Sequence, residues 1–164
     1  SEMPLYFLTS LTFGTLPFLF FVAMAALPAC NHVDYDESTY VELKKDPCFG
    51  FCPVYTFRVD GSGKATFEGI RNVDKQGHWE RQLPKEEVAA LFNAFLEADF
   101  WSFEDEYTDQ VSDLPTVWVT FSHKGQTKQV KDYFGAPPKL KELEALVEEI
   151  AESTTGWQQV TSSE

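Results

Sequence analysis

Strict alternation of apolar and polar residues marks two segments as half-buried strands. In Val54–Val59 the residues Tyr55, Phe57 and Val59 fall on one face. In Thr116–Ser122, Val117, Val119 and Phe121 do, with Thr116, Trp118 and Thr120 opposite. Weaker alternation predicts strands at Tyr40–Leu43, Lys64–Gly69, Gly77–Leu83 and Gln126–Tyr133. Asp60-Gly61-Ser62-Gly63 is a hairpin turn whose glycines supply positive φ, and His123-Lys124-Gly125 turns the second hairpin. After Pro84 the period changes from two to 3.6. Val88, Leu91, Phe92, Phe95 and Leu96 form one apolar stripe, and Pro84 with Glu86 and Glu87 suits a helix start. A second stripe, Leu140, Leu143, Leu146, Val147 and Ile150, lies between Pro138 and Gly156. Phe100-Trp101-Ser102-Phe103 is expected to plug the bottom of the core, with Trp157 packing back onto it.

Hairpin strands, helix, hairpin, helix is the order of an α+β domain. The expectation is a mainly antiparallel sheet of five to six strands with two amphipathic helices on one face. The domain is expected to span 40–157, after an acidic tether at 30–39 and before a disordered tail at 158–164.

The first thirty residues depart from this pattern. Leu5–Ala29 holds no charged residue, and of the 26 acidic residues only Glu2 precedes Cys30. A membrane-crossing helix needs about 20 apolar residues, so a retained anchor is one reading and a cytoplasmic apolar segment another. Pro17, Pro28 and the small-residue run Ala23-Met24-Ala25-Ala26 favour a third, an export signal over 1–29 that is removed. The net charge of −13 excludes a nucleic-acid face, which needs clustered Lys and Arg. Three cysteines, Cys30, Cys48 and Cys52, are all used if Cys30 is lipidated and the other two pair.

Leu27-Pro28-Ala29-Cys30 resembles the lipobox of bacterial lipoproteins, which implies an acyl chain on Cys30 and a membrane as the first partner. Asp34, Asp36 and Glu37 resemble the surface-export signal of Bacteroidetes lipoproteins. The implied location is an outer membrane, on its periplasmic or surface face. Cys48-Phe49-Gly50-Phe51-Cys52-Pro53 allows a disulfide closed by a tight turn, in which Gly50 can take a left-handed conformation. The same spacing resembles the copper motif of Sco-type chaperones, in which His78 or His123 would complete a site with Cys48 and Cys52. Together with Asp60-Gly61, Phe67-x-Gly69, Asp113-Leu114-Pro115-Thr116 and Ala136-Pro137, the cysteine motif is also similar to a family of unknown function found in exported bacterial proteins. That resemblance implies a compact exported domain with a recurrent cysteine pair, and no activity.

Glu104, Asp105, Asp109 and Asp113 crowd one loop, so calcium is a conceivable ligand there, against the commoner reading of a solvated acidic loop. No nucleophile elbow or phosphate-binding glycine loop is present, and no catalytic residue or cofactor is expected. Trp118, if exposed on the outer sheet face, would make a binding platform. The chain therefore reads as a lipid-anchored envelope domain that binds a protein or small molecule or acts as a scaffold. Copper binding or thiol-redox chemistry at Cys48 and Cys52 is the alternative.

Overall fold

The computed structural model describes residues 33–161. The expected export signal, the lipidation site Cys30 and the first tether residues lie outside the described residues. So do 162–164.

Six strands follow the alternating segments: β1 (Tyr40–Lys45), β2 (Val54–Asp60), β3 (Lys64–Arg71), β4 (Gly77–Gln82), β6 (Val117–His123) and β7 (Gln126–Asp132). Two more, β5 (Glu106–Tyr107) and β8 (Gln158–Gln159), raise the count to eight, in the order β5-β7-β6-β1-β2-β3-β4-β8. The expected five to six strands was therefore too few. A two-residue strand has no period to read, and both sit at sheet edges where only backbone pairing defines them. β5 pairs parallel to β7, and every other pairing is antiparallel.

β1 is the central strand. Its Val41 lies between Val59 of β2 and Phe121 of β6, and Leu43 lies between Phe57 and Val119. These side chains share one face with Phe67 and Val130, and all of them are buried. Helices α1 (Lys85–Glu97) and α2 (Pro138–Glu152) cover that face with Val88, Leu91, Phe92, Phe95, Leu140, Leu143, Val147 and Ile150. Leu96 and Leu146, expected on the stripes, are only half-buried. Two residues were unexpected on the buried side of α2: Ala151 and the carboxylate Glu144. Among the described residues, no helix is long and apolar enough to cross a membrane.

The packed unit is longer than 40–157. Val33 joins the core, Tyr35 meets Phe92 edge-on at 5.0 Å, and Gly61 N–H donates to the Thr39 carbonyl at 2.8 Å. A Cβ on Gly61 would stand 1.8 Å from the Asp36 carbonyl oxygen, so the absent side chain is what lets this segment lie across the hairpin. Residues 33–39 are thus part of the domain and not a free tether. At the other end, Gln158 and Gln159 pair with Glu80 and Trp79, which removes them from the expected tail.

The uncovered sheet face is polar. Arg58 pairs with Glu42 at 3.6 Å, Lys64 with Glu80 at 3.2 Å, and His78 sits between Glu68 and Glu80 at 2.9 and 3.3 Å. Trp118 lies on this face but is half-buried. Its indole N–H donates to Asp46 at 2.7 Å and Lys131 covers the ring at 5.6 Å, so it offers no free platform.

Candidate functional site

The features most unlike ordinary protein surface gather where β1 ends and β2 begins. Asp46 fixes the exit of β1: its N–H donates to the Thr116 carbonyl, and its carboxylate accepts from Trp118. The chain then enters Pro47-Cys48-Phe49-Gly50-Phe51-Cys52-Pro53, closed by a Cys48–Cys52 disulfide with Cα atoms 5.7 Å apart. The expected left-handed Gly50 is not needed, for its φ is not positive and a Cβ there would meet only Cys48 Sγ at 3.9 Å. So short a ring stabilises the fold by about 2 kcal/mol in the chain-entropy account. Its larger effect is on display. Phe49 and Phe51 are 92% and 94% exposed, and Ile70, the residue where β3 slips register against β2, is 59% exposed at the same end.

Large apolar side chains held in water forgo the burial that drives folding, roughly 1.5–3 kcal/mol each. Two of them on one disulfide-closed loop make an exposed apolar patch of the kind that often marks contact sites on proteins.

An open cavity of about 420 Å³ adjoins the loop. Phe67, Trp79 and Trp157 supply its aromatic walls, Pro53 and Asn72 its side toward the loop, and Lys75 its cation. Asn72 bridges the two features, donating from its side-chain amide to the Cys52 carbonyl at 3.1 Å. The turn carrying Asn72–Lys75 can fold over β3 because of Gly69, where a Cβ would stand 1.7 Å from the Lys75 carbonyl oxygen. Lys75 Nζ donates to the Ser153 carbonyl at 2.9 Å and lies 4.5 Å from the Phe67 ring and 5.3 Å from Trp157. Burial lowers its pKa, partly offset by Glu152 and Asp74. Behind the cavity, Tyr55 stacks on Phe67 at 4.7 Å and donates to Glu152 at 2.8 Å. Burial, then that carboxylate, pushes the Tyr55 phenol far above its ordinary range. Lys45 binds Glu148 and Glu152 at 3.0 and 3.1 Å, so one oxygen of Glu152, Oε1, holds both Lys45 and Tyr55.

A second polar cluster lies under the N-terminal turn of α2. Lys141 Nζ reaches Asp132 of β7 at 2.7 Å and Glu144 at 2.6 Å. Both carboxylates are buried, and Glu144 Oε1 has no hydrogen-bond partner. Burial first, and then Asp132 beside it, raise the Glu144 pKa to about 7, against the pull of Lys141.

The other sequence candidates are scattered. The disulfide leaves neither sulfur free as a thiolate ligand. His78 is engaged by two glutamates on the polar face. His123 stacks on Phe121 and contacts Thr39, at the end of β6 remote from the loop, about 20 Å away along the strand. Glu104, Asp105, Asp109 and Asp113 are all exposed, and Asp105 pairs with Lys128 at 3.1 Å. Among the described residues no three His, Cys, Asp or Glu side chains converge as a metal ion needs.

No curated protein matches the chain. Residues 39–151, which hold the sheet's six longer strands, α1, all of α2 but its last residue and the disulfide loop, match the family described as a domain of unknown function, DUF6438, and the chain belongs to that family.

Proposed function

We propose that this chain is a lipid-anchored envelope protein that works by binding, with the disulfide loop and the aromatic cavity as its contact surface. The observation that carries the reading is the near-complete exposure of Phe49 and Phe51 on a cross-linked loop beside an open aromatic cavity. Aromatic anchors with neighbouring pockets are what binding surfaces concentrate. The leader before Cys30 and the oxidised cysteine pair fit an exported chain, because such pairs persist outside the reducing cytoplasm. The tether enters at Val33, beside Gly61–Gly63, while the loop sits at the opposite end of β2, about 20 Å away.

Photo-crosslinking in the native cells tests this. With p-benzoylphenylalanine in place of Phe49, irradiation should give a discrete adduct. The same group in place of Lys124, at the far end of the sheet, should give none. Equal labelling at the two positions, or no adduct at Phe49, overturns the reading.

A further inference from the structure

We propose that the aromatic cavity receives Phe49 and Phe51 of a second copy of this chain, two copies pairing about a two-fold axis with each loop seated in the other's cavity. This deepens the binding reading above and rests on it.

A two-fold interface is made by one patch meeting itself, so that patch must carry both halves of the contact. Here it does. The donor half is the pair of exposed Phe side chains. The acceptor half is the cavity walled by Phe67, Trp79 and Trp157. The loop cannot fill its own cavity, because the disulfide closes it and Asn72 ties its Cys52 end to the cavity rim. The cavity's cation suits the same occupant. Lys75 has no carboxylate within ion-pair distance among the described residues and already lies against two rings. An entering phenyl face adds a third cation–π contact.

Charge permits contact at this patch. The chain carries a net charge of −13, so two copies repel in most orientations. Around the loop, basic and acidic groups balance: Lys44 pairs with Asp46, Lys45 with Glu148 and Glu152, and Lys75 and Arg71 flank Asp74. Area points the same way. Each Phe buries roughly 150–250 Å². Exchanging two per copy, with the small area of cavity wall they cover, buries on the order of 1,000 Å², the lower bound for a specific interface. Anchoring both copies in one membrane adds effective concentration without any new contact.

The test uses the full chain in mild detergent, with p-benzoylphenylalanine at position 49 and equal parts of ¹⁵N-labelled and unlabelled protein. Irradiation should give mixed-isotope dimers, with position 49 joined to peptides holding Lys75–Trp79 or Trp157. Trp79→Ala and Lys75→Glu should each lower the dimer yield at least tenfold. Lys75→Glu keeps the aromatic walls, so it reads the contact even if Trp79→Ala fails to fold. Adducts confined to one copy or to detergent overturn the pairing. So does an adduct in native cells to a different protein or to lipid, although a protein adduct leaves the binding surface standing. An absence of any adduct in cells removes both.

Discussion

Replacing Phe121 by alanine is expected to cost about 3–5 kcal/mol, the range for deleting a large buried aromatic side chain. Phe121 is fully buried at the middle of the core face. Its ring stacks on Trp101 at 5.3 Å and meets Phe95, Phe92 and Phe100 at 5.1, 6.2 and 6.1 Å, while His123 covers it at 5.9 Å. These rings come from α1, the short 3-10 helix Phe100–Ser102 and β6 itself, so collapse around the void would have to move several elements at once. A domain of this size holds about 5–15 kcal/mol in all, and the variant should sit close to unfolding. Phe49→Ala is the matched control, the same deletion at a side chain 92% exposed. It should shift stability by no more than about 0.5 kcal/mol. Urea unfolding of both variants checks the pair. A loss above 2 kcal/mol for Phe49→Ala, or below 1 kcal/mol for Phe121→Ala, contradicts the packing described.

Glu144→Gln is expected to stabilise the protein at pH 8 and leave it nearly unchanged below pH 4.5. The buried carboxyl has a pKa near 7 in the folded chain against an ordinary 4.5. Folding therefore favours the protonated form. The stability tied to this group is fully present below the unfolded pKa and is lost as pH rises through about 7. At about 1.4 kcal/mol per pKa unit, the ionised group costs on the order of 3 kcal/mol above neutrality. Glutamine keeps the shape, carries no charge and leaves Lys141 to Asp132 alone. Unfolding midpoints in urea at pH 5 and pH 8 should differ for the native protein, and this part of the difference should vanish in the variant. A variant weaker than the native protein at pH 8 means that the ion pair to Lys141 outweighs burial, contrary to the account.

Much of the fold was legible because one-sided burial imposes alternation. Val117, Val119 and Phe121 were placed inward by period alone, as were Tyr55, Phe57 and Val59, and all six are buried. β5 and β8 were not legible, since two residues carry no period. Glu144 was missed although a signal existed: it sits four after Leu140 and three before Val147, on the apolar stripe itself. A charge in that position is either misplaced or paired, and here Lys141 pairs it. The cavity was hidden for a different reason. It joins Lys75 on one turn to Ser153 and Trp157, roughly eighty residues on, and only the pairing of β3, β4 and β8 brings them together. The exposure of Phe49 and Phe51 was not legible, because composition alone cannot distinguish an apolar residue that is buried from one left exposed.

The binding account depends on an oxidised loop carried by a chain that works outside the cytoplasm and is tethered through Cys30. The intact mass of the protein from native membranes tests that most directly. The predicted species begins at Cys30, carries acyl groups on that residue, and weighs two hydrogens less than its reduced form because Cys48 and Cys52 are joined. A chain that retains residues before Cys30, with an unmodified Cys30 thiol and two further free thiols, contradicts it.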